Sequence, residues 1–158
     1  MLKGLFAIAI LVICIGCKDN SRANNAYHPF KSPEAKRKYI AFNNKRASNW
    51  PVPHDTIMVS TSFGETFVRI SGEKEKPPLF LLPGGGANSL SWNKNISGLS
   101  KHFCVYAIDN INDFGRSVYS IEIQSADDFT VWLDSFFLDK KLSNIFLFHT
   151  IFLRYRIL

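Results

Sequence analysis

Cysteine is scarce in this sequence: Cys14, Cys17 and Cys104 form no even, regularly spaced set from which a disulfide framework could be built. Histidine is equally thin. His28, His54, His102 and His149 are scattered, with no clustered Asp, Glu or Cys beside them, so no metal site is expected. No apolar run reaches the roughly 20 residues of a comfortable membrane span. Internal repeats and low-complexity blocks are absent. So are a Lys-Ser/Thr pair at P-loop spacing and a G-x-G-x-x-G run, which removes the specific nucleotide-binding signatures. No cofactor is expected.

What is present is 46% apolar and 14% aromatic over 158 residues, enough for one domain with a real core. Positive charge is placed unevenly. Lys18 to Arg46 holds eight Lys/Arg against Asp19 and Glu34, whereas Ala47 to Leu158 holds ten against eleven acids. The basicity thus belongs to a leader segment, and the aromatic residues fall in core-type patterns, so nucleic acid is not an expected partner.

The leader opens with Met-Leu-Lys, continues through thirteen apolar residues from Gly4 to Gly16, and turns abruptly polar after Cys17. That is a secretory signal pattern, and residues 1–17 are read as a signal peptide. Its Gly16-Cys17 end resembles the lipobox of bacterial lipoproteins, with Cys14 where Leu is usual. The resemblance implies lipidation of Cys17 and a place on the extracytoplasmic face of a bacterial cell membrane, or secretion. Cys14 and Cys17 also spell C-x-x-C, but inside an apolar segment without a partner pair this is a weak redox or metal signal. Cys104, in "FCVYAID", reads as an inert core thiol.

Residues 18–50 read as a basic tether followed by a helix. Ser32-Pro33-Glu34 supplies an N-cap, a proline at the first helical position and an early acid, and the helix runs to about Ala47. Tyr39, Ile40 and Phe42 give it a modest apolar face. Its cations read as a solvated face, and beside a lipid anchor they could meet anionic head groups.

Residues 51–148 read as the folded domain and 149–158 as a tail. A β-hairpin of Ile57 to Ser62 and Thr66 to Ser71 comes first, followed by a buried strand, Leu79 to Leu82. Asn88 or Ser89 caps a helix to about Lys101, with Leu90, Ile96 and Leu99 inward. "FCVYAID" is the next strand. Ser125, Asp127 and Asp128 open another helix, along which Phe129, Trp132, Leu133 and Phe136 recur at three- and four-residue steps. Asn144 to Phe148 is the last strand. The order argues for an α/β fold whose sheet starts antiparallel.

Three consecutive glycines, Gly84-Gly85-Gly86, stand at the mouth of the strand Leu79 to Leu82. Without side chains, such a loop lets backbone N–H groups approach a ligand closely. "LFLLPGGGANSLSW", "VYAIDNINDFGRS" and "SADDFTVWLDSFF" together resemble the α/β-hydrolase superfamily, esterase and lipase branch, over roughly Ile57 to Phe148. The resemblance implies an α/β-hydrolase-like sheet with an N-terminal β-hairpin followed by parallel strands, reaching about the fifth strand. It implies an ester-like small-molecule substrate, and it makes Gly85 and Gly86 the oxyanion-hole candidates. Pro83 stands where that family usually has a histidine, so any hydrogen bonds made by the imidazole are missing.

In the family a G-x-S-x-G elbow after the fifth strand holds the nucleophile, with the acid and histidine later. Here "NIFLF" is followed by "HTIFLRYRIL", without that elbow, and no catalytic residue is assigned. Gly115-Arg116-Ser117-Val118-Tyr119 nearly spells the elbow but follows the wrong strand, and reads as a loop. His149 reads as a polar strand-end residue. The abrupt loss of resemblance is what an interrupted hydrolase gene would give, and the expected product is an exported, inactive hydrolase-family chain. The alternative is a non-catalytic, membrane-anchored surface lipoprotein that binds or scaffolds through the same fold.

Overall fold

The computed structural model describes residues 29–140 and 146–149. Helix α1 (Pro33–Ala47) is followed by strands β1 (His54–Thr61), β2 (Gly64–Ser71) and β3 (Pro78–Leu82). A 3-10 turn (Ser89–Trp92), α2 (Asn93–Leu99), β4 (Cys104–Ile108), β5 (Val118–Tyr119), α3 (Ala126–Lys140) and β6 (Phe146–His149) complete the order.

The strands lie in one sheet in the order β1-β2-β4-β3-β6, with short β5 on β2. β1 and β2 form an antiparallel hairpin closed at Thr61↔Gly64, one residue tighter than the expected Phe63-Gly64-Glu65 turn. β2 also meets β4 antiparallel, through Val68↔Ile108 to Ser71↔Val105. β3 is parallel to β4 on one side and to β6 on the other. Among the described residues β6 ends the sheet.

Alternation along β3 and β4 sorts the core into two layers. Leu79 and Leu81 join Val105 and Ala107 on the face that receives Trp50, Leu90, Trp92 and Ile96. Phe80 and Leu82 join Ile108 on the other face, against Trp132 of α3. Burial on both faces explains why "LFLL" reads as an unbroken apolar run. Trp132 is fully buried, and its Nε1–H donates to Thr66 Oγ1 at 2.9 Å, so the one polar atom it brings inside is paired.

Local chemistry sets the helix ends. Ser32 Oγ accepts from Ala35 N at 3.1 Å and starts α1. Ser125 and Asp128 form a reciprocal box: Asp128 N donates to Ser125 Oγ, and Ser125 N and Gln124 N to Asp128 Oδ2. Those donated bonds, the one from Gln124 first, hold the Asp128 carboxyl below its ordinary pKa.

Two expectations about the helices also needed revision. The helix expected to run to about Lys101 is capped by Asn88, whose Oδ1 accepts Leu90 N–H at 3.0 Å, but it opens as a 3-10 turn and ends at Leu99. Phe42 is not on the packed face of α1 but 58% exposed; Tyr39 and buried Asn43 face inward instead. Among the described residues no helix is long and apolar enough to cross a membrane.

Candidate active site

The carboxyl ends of the parallel strands β3 and β4 point the same way, so the loops leaving them, 83–88 and 109–117, meet above the sheet. His149 at the end of β6 pairs in register with Leu82, which brings the end of a third parallel strand beside the first loop. In open α/β sheets this edge is where ligands bind.

The glycines form a turn closed by Ala87 N–H donating to Gly84 O at 3.1 Å. Gly86 occupies its third position with φ +79°, the left-handed value that a type II turn demands there. Gly84 is buried, while Gly85 and Gly86 are exposed. The two oxyanion candidates differ in one respect. Gly86 N–H already donates to Asp113 Oδ2 at 2.7 Å, whereas among the described residues no acceptor is hydrogen-bonded to Gly85 N–H. In place of the family's histidine, the loop is braced from the opposite side: Asn110 Nδ2 donates to Pro83 O at 3.3 Å, and Asp113 holds Gly86.

Beneath both loops lies Asp109, 2% exposed, at the end of β4. Its Oδ1 accepts Ser89 N–H at 2.7 Å and its Oδ2 accepts Arg116 N–H at 2.8 Å. One carboxylate therefore ties the start of the 3-10 turn to the far end of the second loop. Burial raises the carboxyl's pKa; bonds from the Ser89 hydroxyl and N–H and from Arg116 N–H, with the field of Arg69, oppose that rise without cancelling it. Gly115 is required beside it, because a Cβ there would lie 2.6 Å from Asp109 Oδ2.

Ser117 is a bracket between strands rather than a poised nucleophile. Its hydroxyl donates to Asp109 O at 2.7 Å and accepts from Phe67 N–H at 2.9 Å. The loop expected over Gly115 to Tyr119 is loop through Ser117, but Val118 and Tyr119 form β5 against β2. Among the described residues neither His54 nor His102 is hydrogen-bonded to Ser117. His54 Nε2 lies 2.6 Å from Arg69 Nη1 and accepts from it, since a guanidinium only donates; burial, and then the Arg69 charge, lower the ring's pKa. His102 is exposed after α2, with its N–H on Leu99 O. His28, Cys14 and Cys17 lie outside the described residues. Cys104 is a buried free thiol in β4. No group of three or more His, Cys, Asp or Glu among the described residues is placed to hold a metal ion.

Sequence reasoning missed the part played by α1. Tyr39 Oη donates to Phe114 O at 3.1 Å and accepts from Asn88 Nδ2 at 2.7 Å, so the helix is clamped to both site loops. Phe30, Tyr39 and Phe114 pack ring against ring at 5.1–5.9 Å. Tyr39 at the expected apolar position was the available signal; its partner's place in the loop was not readable.

Asp109→Asn keeps the shape but leaves an NH2 facing a backbone N–H. It is expected to destabilise the fold by about 2–4 kcal/mol, the range for stranding donors in a buried charged network. Urea unfolding reads this as a lower midpoint at unchanged slope, with faster amide exchange at Ser89 and Arg116. An unchanged midpoint would remove Asp109 from its structural role.

No family model matches the chain. It is 34% identical over 108 residues to carboxylesterase YbfK of Bacillus subtilis, covering 68% of this chain and 36% of that one. It is 35% identical over 96 residues to the uncharacterized carboxylesterase nap of the same organism, covering 61% and 32%. The crystal structure of carboxylesterase CesB (YbfK) superposes with a TM-score of 0.71 at 33% identity, over 73% of this chain and 41% of that one. That of naproxen esterase, also from Bacillus subtilis, gives 0.71 at 30% identity, over 75% and 41%. The chain thus spans about a third of the length of the curated relatives it matches. Its sheet is part of the α/β-hydrolase fold, and its curated relatives are carboxylesterases.

Proposed function

We propose that this chain provides the oxyanion loop of an ester-hydrolysing α/β hydrolase, with Gly85 as the backbone donor, on an exported and lipid-anchored protein. The observation that carries the reading is the exposed glycine turn at the carboxyl end of β3, braced by Asn110 and Asp113, in a chain related to carboxylesterases. In the reaction, a serine hydroxyl adds to the ester carbonyl carbon while its proton passes to a histidine. The carbonyl oxygen gains the negative charge and takes a hydrogen bond from Gly85 N–H. The intermediate then expels the alcohol, which recovers the proton, and water releases the acid from the acyl-serine. Gly86 is the poorer donor because Asp113 occupies its N–H.

The 158 residues contain no G-x-S-x-G, and the Ser117 hydroxyl is engaged at both ends. The nucleophile is therefore sought in sequence matching the remainder of the carboxylesterases. A chimaera joining residues 51–148 to that remainder of YbfK is expected to hydrolyse activated esters. Gly85→Pro deletes the donor N–H at the turn's second position, where proline suits a type II turn, and should lower kcat by about 10²–10³-fold with little change in KM. An unchanged kcat would show that Gly85 is not the donor.

For the chain alone, a serine-directed fluorophosphonate probe should leave the purified protein unlabelled. Saturable labelling that disappears in Ser117→Ala would overturn the reading and make Ser117 a nucleophile.

The anchor rests on the apolar stretch that ends at Gly16-Cys17 before a polar tether. In bacterial cells fed a labelled fatty acid, the wild type and Cys14→Ser should be labelled and Cys17→Ser should not. Equal labelling of wild type and Cys17→Ser would refute acylation at Cys17.

A further inference from the structure

Helix α1 has two faces with different obligations. Tyr39 and buried Asn43 turn inward, and Tyr39 clamps the loops of the candidate site. On the outward side Phe42 is 58% exposed, an apolar ring where a merely solvated helix would carry a polar side chain. One turn before it stands Lys38, one turn after it Lys45 and Arg46, and the Arg46 guanidinium lies 5.9 Å from the Phe42 ring centre. Lys38, Lys45 and Arg46 are all exposed. The acid on this side is Glu34, 2.7 Å from Lys38, in a pair so exposed that water screens most of its attraction.

We propose that this outward face of α1 is a docking surface for an anionic lipid bilayer, with Phe42 entering the head-group boundary and Lys38, Lys45 and Arg46 meeting lipid phosphates around it. The charge distribution supports a surface of opposite sign: Lys31 to Arg46 carries six cations against one acid, whereas Ala47 to Leu158 carries ten against eleven. The excess of positive charge is therefore concentrated in the segment that holds α1, which favours a partner of opposite sign at that helix. The exposed phenylalanine selects lipid over a purely polyanionic partner, because an aromatic ring gains from the acyl boundary and nothing from a phosphate. Docking at this face is independent of acylation at Cys17 and of any esterase activity.

The test uses the full chain and two vesicle compositions, pure phosphatidylcholine and phosphatidylcholine with about a third phosphatidylglycerol. The wild type should partition more strongly onto the anionic vesicles, and less so as salt shortens the Debye length from about 8 Å at physiological strength to about 3 Å at 1 M. Lys38→Gln/Lys45→Gln/Arg46→Gln should lose about fivefold per cation, roughly a hundredfold in all, of that anionic preference. Phe42→Trp reads the face directly. Trp50, Trp92 and Trp132 are buried, so new emission quenched by brominated acyl chains in the anionic vesicles reports position 42.

Quenching with the predicted loss in the triple variant supports the proposal. Wild-type-like binding by the triple variant together with an unquenched Trp at position 42 would overturn it and assign membrane contact to the leader. Duplex DNA that binds as tightly at equal salt and displaces the protein from vesicles would overturn it in favour of nucleic acid. If the triple variant fails to fold, the quenching result decides alone.

Discussion

The rest of the structure depends on a buried carboxylate. Asp109 is a carboxyl group buried at the end of a central strand, and a polar group so placed is tolerated only when hydrogen-bond donors surround it. Those donors are the main-chain N–H groups of Ser89 and Arg116, which belong to segments on either side of it in the sequence. Satisfying Asp109 therefore fixes the entry to the 3-10 turn and the exit of the 109–117 loop together. Gly115 follows from the same constraint, since any larger residue would collide with the carboxylate it must pass. So does Ser117, whose hydroxyl holds Asp109's own carbonyl to β2. Burial raises the carboxyl's pKa, and the hydrogen bonds from Ser89 and Arg116 work against that rise.

This network has a structural return at the surface. The loops positioned by Asp109 lean on each other through Asn110–Pro83 and Asp113–Gly86, and on α1 through Tyr39. A glycine turn is otherwise the most mobile kind of backbone, because each glycine has the most conformational freedom to lose. Here it is restrained by side chains of a different loop, and only Gly85 is left both exposed and unclaimed by a described acceptor.

Much of the fold was legible because it follows from patterns of period two and three to four. The continuous "LFLL" is a buried strand, the hairpin before it forms with a turn one residue tighter, and Ser125 caps α3. The resemblance added the parallel order that periodicity cannot supply, and the fold matches it. The glycines could be recognised as a loop for backbone donors, but not which donor was free. That depends on Asp113, 27 residues away from Gly86, and no local rule pairs them. Phe42 was misplaced for a similar reason. Helical periodicity puts it near Tyr39, yet the buried face is set by where Phe114 and Asn88 lie, which is a tertiary fact.

The pairing of Asp113 with Gly86 also bears on how such a loop could work chemically. Oxyanion stabilisation is effective when donors are aimed before the charge develops, since reorienting dipoles during the reaction costs much of what they return. A carboxylate bonded to one N–H of the turn orients the neighbouring peptide without occupying it. The same negative charge close to Gly85 would oppose a developing oxyanion if no other donor or cation shared the load. In the proposed role the Asp113 brace would give up some electrostatic stabilisation for rigidity, offset by the bonds its carboxyl accepts from Gly86 and Phe114 N–H.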